Sequence, residues 1–299
     1  MRTRFKQFLI WSKAISCRAE IVHIQWASHI YLFEEILDTT YFKIMVSLRG
    51  SLINIAPVAD DDLLNLYRKT FPRVHLFHAV SEHIKTLATF YGAVEDNIKV
   101  IYSGVDLSSF EPLKKKNYFR GDELKILSVG RHHWNKGYNY ALEAFSIILK
   151  QNIKATYTII GVSNSEEIIC SGNYLDLKDN LILTPYMNYN NVLTAMQTAD
   201  VLLLPSVSEG VANVAIEAMA IGLPIISTNA AGMPELITHN KTGLLYDNRS
   251  INDLVEKLLN FNNMPQKDIE NMSENALQKI AQQHNWATFK RAFGDFYKN

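Results

Sequence analysis

Two glutamates, Glu209 and Glu217, lie in a segment whose order of residue types can build an anion-binding site. The segment runs from Val201 to Pro224 and reads VLLLPSVSEGVANVAIEAMAIGLP. Its apolar start predicts a strand buried on both faces of a parallel sheet, and Pro205 ends that strand. The loop that follows therefore lies at the carboxyl end of a strand, where open α/β sheets place their ligands.

A short helix is expected after this loop, with Asn213 as its cap and Gly222 at its end. Its free backbone N–H groups and positive dipole end would face the loop and attract an anion. Glu209 lies beside this anion site, and Glu217 lies about two helical turns further on. An anion site flanked by two acceptors of hydroxyl hydrogen bonds suits a phosphorylated sugar. The alternative is a strand–helix unit with two surface glutamates.

A second loop carries two cations in the sequence SVGRHHWNKG, residues 128–137. Arg131 and Lys136 follow a predicted strand, so they lie at the mouth of its carboxyl end. Paired cations can stabilise the charge on a diphosphate leaving group without a metal, whereas solvated surface cations are the alternative interpretation. His132 and His133 have no acidic or Cys partners at ligand spacing, so no zinc site is predicted.

The elements that must position these loops alternate between strand and helix patterns, as in parallel α/β folds. The acidic run Asp60–Asp62 is interpreted as the first turn of a helix rather than a metal site, because acidic side chains there complement the helix dipole. Residues 111–117 are polar, contain a Pro and are interpreted as a linker, and residues 162–179 are expected to be irregular. Strands are predicted over 19–26, 43–49, 74–81, 98–103, 125–130, 155–161, 181–185, 200–205, 224–229 and 242–246. Helices are predicted over 29–38, 60–71, 82–91, 138–151 and 190–198, with three more before the C-terminus.

The bulk composition excludes some classes of partner. The 299 residues suffice for two domains, and 30 basic against 30 acidic residues leave no electrostatic footprint for nucleic acid. Cys17 and Cys170 form neither a disulfide framework nor a metal spacing, which fits a cytoplasmic protein. No apolar run reaches membrane-spanning length. A basic amphipathic N-terminal helix leaves open a peripheral contact with the inner face of the membrane.

Jointly, these motifs resemble the retaining group 1 (family 4) nucleotide-sugar glycosyltransferases. The resemblance rests on Gly-Arg and Lys-Gly in residues 130–137, on Ser-Glu-Gly at 208–210 and on the paired glutamates. It continues through residues 80–82, 100–106, 222–226, 231–237 and 240–245. It implies an α/β fold of the GT-B type, with two Rossmann-like parallel-sheet domains facing a cleft and the first of them incomplete. The implied domains are an acceptor-side part at 1–116, a donor-binding part at 117–284, and a helix at 285–299 that crosses back to the first domain.

The resemblance also implies roles for individual residues. Arg131 and Lys136 would hold the donor diphosphate, and Glu209 would contact the donor sugar and support its cationic transition state, so these three form the expected catalytic set. Glu217 would accept hydrogen bonds from the ribose. The remaining expected donor contacts are the Gly210 position and the backbone N–H groups of Val211, Ala212 and Asn213.

The activity implied is transfer of a hexose-type residue, with retention, from a UDP- or GDP-type donor. The acceptor would be a glycan or lipid-linked glycan in surface polysaccharide assembly. No cofactor and no metal are expected. An epimerase or phosphorylase of the same fold is a rival, and no lysine motif for pyridoxal phosphate is evident.

Two departures from the family pattern concern the first domain. Arg49-Gly50 stands where the family often has a His-Gly pair on the acceptor side. Gly50 is also the first glycine of the chain, so the Gly-rich loop that opens the family's first domain has no counterpart, and two or three βα units are expected to be absent. A truncated product, a chain that works with another polypeptide or as an oligomer, and a minimal enzyme remain open. A catalytically inactive sugar-nucleotide-binding subunit is the alternative function.

Overall fold

The computed structural model describes residues 2–39, 41–110 and 123–298. The predicted linker at 111–117 and the expected domain boundary at 116/117 lie outside these ranges. The chain divides into two compact units, each built on one parallel sheet. The first unit comprises residues 1–103, 209–211 and 287–299, and the second comprises residues 104–208 and 212–286.

The first unit contains a four-stranded parallel sheet with the order β1-β2-β3-β4. The four strands predicted in this part of the sequence are all present. The predicted helix over 29–38 forms two 3-10 turns instead, Ala27–Leu32 and Glu34–Ile36. The elements are α1 (Arg2–Ser16), β1 (Ile21–Ile24), β2 (Lys43–Leu48), α2 (Ser51–Asn54), α3 (Ala56–Ala59), α4 (Asp61–Thr70), β3 (Leu76–Ala79), α5 (Glu82–Phe90) and β4 (Ile98–Val100).

Helix α4 begins as its acidic run predicts. The Asp60 carboxylate accepts a hydrogen bond from the Leu63 N–H at 3.1 Å, and Asp61 and Asp62 occupy the first turn. These carboxylates satisfy a free N–H group and complement the helix dipole. Within the described residues, no helix is long and apolar enough to cross a membrane.

The second unit contains a six-stranded parallel sheet with the order β10-β9-β8-β5-β6-β7. Apolar side chains from its strands and helices form one core, which includes the fully buried Phe145, Tyr157 and Phe261. The elements are β5 (Leu124–Val129), α6 (Tyr138–Lys150), β6 (Ala155–Ile160), α7 (Glu166–Tyr174), β7 (Leu181–Thr184), α8 (Tyr189–Thr198), β8 (Val201–Leu204), α9 (Asn213–Ile221), β9 (Ile225–Thr228), α10 (Met233–Leu236), β10 (Leu244–Tyr246), α11 (Ile251–Asn262) and α12 (Gln266–Gln283).

The expectation of an irregular stretch over 162–179 was wrong, because α7 lies within it. The Ser165 hydroxyl accepts a hydrogen bond from the Ile168 N–H at 3.3 Å, and Glu166 and Glu167 fill the first turn. This is a normal helix start. The buried Ile168 side chain then ties the helix to the core.

The C-terminal helix α13 (Trp286–Phe296) packs within the first unit from Ala287 onward. Phe296 is 2% exposed and belongs to a cluster with Met45, Leu76 and Ile101 from the sheet and the strand end beside it. Phe289 and Phe293 pack against the same cluster, so the aromatic residues of this helix, spaced three or four apart, cover one face of the first sheet.

The same sheet face carries a row of hydrogen bonds, which we call the histidine row. Tyr297 Oη lies 2.7 Å from His23 Nδ1, and His23 Nε2 lies 2.9 Å from Ser47 Oγ. Ser47 Oγ lies 2.9 Å from His78 Nδ1, and His78 Nε2 lies 3.0 Å from the Ile101 carbonyl oxygen. The row thus crosses β1, β2 and β3 and connects them to the C-terminal segment.

Because a carbonyl oxygen only accepts, the Ile101 carbonyl fixes the direction of every hydrogen bond in the histidine row when both imidazoles are neutral. His78 therefore donates from Nε2 and accepts the Ser47 hydroxyl proton at Nδ1. Ser47 Oγ in turn accepts from His23 Nε2, and His23 Nδ1 accepts from the Tyr297 hydroxyl. Both imidazoles must be neutral in this arrangement. Burial lowers the pKa of each to about 4, and the Arg49 charge also lowers that of His23, which agrees with neutral rings.

Candidate functional site

The two predicted loops lie side by side at the carboxyl edge of the second sheet. Strand β5 pairs in parallel with β8, with Ile126 opposite Val201 and Leu127 opposite Leu202. The sheet order places β5 between β6 and β8, so the chain leaves these neighbouring strands in opposite lateral directions. Such a switch point opens a crevice outside the carboxyl ends of the strands, where α/β proteins bind ligands.

The loop that carries Arg131 and Lys136 is folded tightly against the end of β8. Gly137 adopts a left-handed conformation with φ of 64°, and a Cβ atom there would lie 2.0 Å from the Pro205 carbonyl oxygen. The Tyr138 hydroxyl donates to the Gly130 carbonyl at 2.9 Å. Only a glycine fits at position 137, since a side chain would meet backbone that cannot move aside.

Asn135 joins this loop to the loop after β8. Its carbonyl oxygen accepts a hydrogen bond from the Val207 N–H at 2.7 Å, and its side-chain amide donates to the Ser208 carbonyl at 3.4 Å. Asn135 is 7% exposed. A buried, bonded side chain of this kind fixes the separation of the two loops. The Ser-Glu-Gly sequence therefore starts from a point tied to the Arg131–Lys136 loop.

Two side chains hold the loop after β8 from its other side. The Thr228 hydroxyl donates to the Ser206 carbonyl at 2.6 Å, and the Asn248 amide donates to the Val207 carbonyl at 2.8 Å. With Asn135, these groups satisfy three successive backbone carbonyls, those of Ser206, Val207 and Ser208. The loop is thus held by specific bonds in a region where no regular secondary structure supplies them.

The structure corrects the expected start of α9. Asn213 is the first helical residue and does not cap the helix, since the N-cap is Ala212, which has no side-chain hydrogen bond to offer. The amino end of α9 is therefore without a side-chain cap, which leaves its N–H groups and dipole directed at the loop. Gly222 ends the helix in a left-handed conformation, as predicted.

Glu217 is half-buried on α9, and burial raises its pKa to about 7. Burial raises the pKa of Tyr189 at the start of α8, and the charge of Glu217 raises it further, so the two groups are neighbours. A carboxylate held in a partly desolvated place without a cation is costly for the free protein. Side chains whose pKa is shifted strongly by burial are typical of functional sites.

Residues 209–211 cluster with the first unit. A Cβ atom on Gly210 would lie 3.0 Å from Val80 Cγ2 and 3.4 Å from the Gly50 nitrogen. The Arg49 guanidinium donates to Gln25 Oε1 at 3.0 Å. The pair Arg49-Gly50, predicted on the acceptor side, thus lies next to Gly210, a predicted donor contact, within this unit.

His132 has an acidic partner that its sequence spacing does not reveal. Its Nε2 lies 3.0 Å from Glu167 Oε2, and the other carboxylate oxygen, Oε1, accepts a hydrogen bond from the Asn139 amide at 2.5 Å. Among the residues that the structure describes, no group of three or more His, Cys, Asp or Glu side chains could hold a metal ion.

Sequence reasoning missed Asn135, Thr228 and Asn248, which hold the loop after β8 by hydrogen bonds and have no role in catalysis or binding assigned to them. Asn135 lies between Arg131 and Lys136 in the sequence motif, and this position is the signal from which its importance could have been predicted. Thr228 is the last residue of β9 and Asn248 follows β10, and only the sheet order brings them to this edge.

Comparison with protein families places residues 109–279 in the group 1 glycosyl transferases. WcaL of Salmonella typhimurium, a glycosyltransferase named for colanic acid biosynthesis, is 28% identical over 262 residues, which cover 85% of this chain and 62% of the relative. The amylovoran biosynthesis glycosyltransferase AmsK of Erwinia amylovora is 30% identical over 217 residues, which cover 68% of this chain and 52% of AmsK. The chain therefore spans less than two thirds of the length of these relatives.

Solved structures match nearly the whole chain in shape. HepE of Anabaena in complex with UDP gives a TM-score of 0.83 at 16% identity and covers 98% of this chain and 81% of its own. Sucrose-phosphate synthase of Thermosynechococcus elongatus gives 0.82 at 18% identity, covering 93% and 73%. At these identities the likeness shows the fold, which is GT-B with two parallel-sheet domains. Because the family match covers more than half of the chain, this protein belongs to the group 1 glycosyl transferases.

Proposed function

We propose that this protein binds a nucleotide-diphosphate sugar and transfers the sugar, with retention, to a glycan or lipid-linked glycan. The observation that carries the proposal is the pair of hydrogen-bonded loops at the switch point of the second sheet. One loop supplies Arg131 and Lys136, and the other leads into the uncapped amino end of α9. Cations next to a helix amino end form a binding site for a diphosphate.

Each predicted site residue has a role in this proposal. Arg131 and Lys136 bind the diphosphate and offset the charge that develops on it as the sugar–oxygen bond breaks. Glu209 contacts the sugar hydroxyls and stabilises the positive charge that develops on the ring. The backbone from Gly210 to Asn213 lines the phosphate and sugar. Since a metal would only repeat the work of the two cations, we propose a metal-independent reaction without a cofactor.

Glu217 accepts hydrogen bonds from the ribose hydroxyls in this proposal. Its place on α9, about one turn after the phosphate-binding end, suits the distance from a diphosphate to its nucleoside. Partial burial makes the free carboxylate costly, and two ribose hydroxyls would donate hydrogen bonds that stabilise its charge. HepE was crystallised with UDP and with UDP-glucose, so UDP-sugars are the first donors to test, followed by GDP-sugars.

We place the acceptor near Arg49-Gly50, because these residues adjoin Gly210 within the first unit. WcaL and AmsK carry names of polysaccharide biosynthesis, which supports a glycan acceptor, and we propose that transfer takes place at the cytoplasmic face of a membrane. Helix α1 exposes Phe8 and Leu9 together with Lys13, which supports peripheral contact with that membrane. The relatives carry transferase names, and no observation favours an inactive binding subunit.

The test is calorimetric titration of UDP and GDP into the wild type and the Arg131→Ala/Lys136→Ala variant. Each hydrogen bond to a charged group contributes about 1.5–3 kcal/mol, so we expect the double variant to bind roughly 100-fold more weakly or worse. The matched control is Lys154→Ala/Lys178→Ala, which removes two exposed cations that precede β6 and β7, at the opposite edge of the same sheet. Equal nucleotide affinity in the wild type and in the Arg131/Lys136 variant would refute the assignment.

A second measurement separates the two glutamates. Glu217→Ala should weaken binding of plain UDP, whereas Glu209→Ala should weaken binding of a UDP-sugar and its turnover while UDP binding persists. An equal loss of plain UDP affinity in both variants would contradict the division between ribose and sugar.

A further inference from the structure

A cavity of about 360 Å³ lies beside the amino end of α6 in the second unit. Its walls come from the loop after β5, from α6, from the first turn of α7, from Val207 in the loop after β8 and from Arg249. The cavity adjoins the two loops of the proposed nucleotide site, but the four side chains assigned to the donor are not among its described lining residues, which are Arg131, Lys136, Glu209 and Glu217. Its volume lies at the low end of the range for small-molecule sites, about 300–1,000 Å³, which fits one or two sugar rings.

Aromatic side chains form part of the cavity wall. Trp134 lines it and is 56% exposed, although a side chain of this size is usually buried in a monomeric domain. Tyr140 contributes a second ring from α6. An exposed aromatic face beside a cavity offers an apolar surface for the C–H face of a pyranose ring, while the polar edge of the ring is left for hydrogen bonds.

Carboxylates that can accept hydrogen bonds from sugar hydroxyls line the cavity beside these rings. Glu167 is held in place by His132 at 3.0 Å and by Asn139 at 2.5 Å, and Glu143 lines the cavity from α6. Carboxylates accept hydrogen bonds from hydroxyl groups, and an oriented carboxylate does so without a further loss of side-chain entropy. The two carboxylates offset Arg249, so the cavity has no excess of positive charge to attract a phosphate.

We propose that this cavity binds a neutral sugar ring of a glycan, independently of the nucleotide. The aromatic face of Trp134 packs on the ring, and Glu143 and Glu167 accept hydrogen bonds from its hydroxyls. Such a site would hold a glycan chain on the second unit without taking part in bond breaking. The proposal does not depend on the identity of the donor.

The test is saturation-transfer NMR with methyl glycosides of glucose, galactose, mannose and N-acetylglucosamine, in the absence and presence of saturating UDP. We expect saturable binding of at least one glycoside, with a Kd on the order of 1 mM, because a single ring makes few contacts. Trp134→Ala should weaken it about tenfold or more, and Glu143→Gln should also weaken it. The matched control, Trp26→Ala, removes a tryptophan of similar exposure, 51%, from the first unit and should leave it unchanged.

Several outcomes would overturn the proposal: no saturable binding of any glycoside, displacement of the glycoside by UDP, or an equal effect of Trp26→Ala and Trp134→Ala. UDP affinity measured on the same samples keeps the two sites apart. UDP binding without glycoside binding would refute the sugar cavity alone, whereas glycoside binding without UDP binding would refute the nucleotide site alone.

Discussion

Replacement of Glu217 by Gln should stabilise the free protein at alkaline pH and weaken nucleotide binding. Burial raises the pKa of Glu217 from 4.5 to about 7. Between these values the folded protein binds more protons than the unfolded chain, so the stability that this group contributes falls as pH rises through that window. Above about pH 7 the group is charged in the folded state, and its desolvation opposes folding.

The size of the effect follows from the same values. The difference between 4.5 and about 7 corresponds to roughly 3 kcal/mol of free energy of unfolding. Since Glu217 is only half-buried, solvent screens part of this, and we expect Glu217→Gln to gain about 1–2 kcal/mol at about pH 8. At about pH 4.5 both side chains are uncharged or nearly so, and the difference should disappear.

The assay is urea denaturation of both proteins at the two pH values, together with UDP titration at about pH 8. The matched control is Glu274→Gln on the exposed side of α12, which should change stability little at either pH. Loss of a charged acceptor should weaken UDP binding about 10- to 100-fold. Equal stability of the wild type and Glu217→Gln at both pH values would refute the burial argument, and unchanged UDP affinity would refute the ribose assignment.

Three further changes test other parts of the structure. Gly137→Ala should lose about 2–4 kcal/mol of stability in the same denaturation assay, because its Cβ would meet the Pro205 carbonyl oxygen at 2.0 Å. The control Gly222→Ala is also at positive φ but has open space around its Cβ, so it should lose only about 1 kcal/mol. Equal losses in the two variants would contradict the close approach at Gly137. Because burial lowers the pKa of His78 from 6.5 to about 4, stability should fall by roughly 3 kcal/mol as pH decreases through that window, with a smaller contribution from His23. The measurement uses the Glu217→Gln variant, because Glu217 changes stability with pH in the opposite direction. A stability that does not change with pH would contradict neutral imidazoles. Chelation by EDTA should leave transfer and UDP affinity unchanged, and activity that is lost in EDTA and restored by magnesium would exclude the metal-independent reaction.

Local patterns account for what could be predicted from the sequence. The continuous apolar run Val201–Leu204 predicts a strand covered on both faces of the sheet, and all four of its residues are buried in β8. Helix α7 escaped prediction because Cys170, Ser171, Gly172 and Asn173 are weak helix formers, and its stability comes from the Ser165 cap and from Ile168 in the core. Propensity alone does not contain such tertiary contributions.

The cap of α9 shows a different limit. Asn213 is a better capping residue than Ala212, yet the helix begins one residue earlier than capping preference indicates. The loop before it is already fixed by Asn135, Thr228 and Asn248, and these bonds join residues far apart in the sequence. The histidine row is beyond local reasoning for the same reason, since its members lie on three strands and at the C-terminus.

The single direction of the histidine row has a consequence for how its members respond to substitution. All the hydrogen bonds of the row run in one direction, so removal of any member takes a donor or an acceptor from each of its neighbours. Tyr297, His23, Ser47 and His78 should therefore show strong epistasis. Once Ser47→Ala has interrupted the row, Tyr297→Phe should cost clearly less than it does in the wild type, and the difference is the coupling free energy of a double-mutant cycle. In mutational terms these four positions form one coupled unit, although 274 positions of the sequence separate His23 from its partner Tyr297.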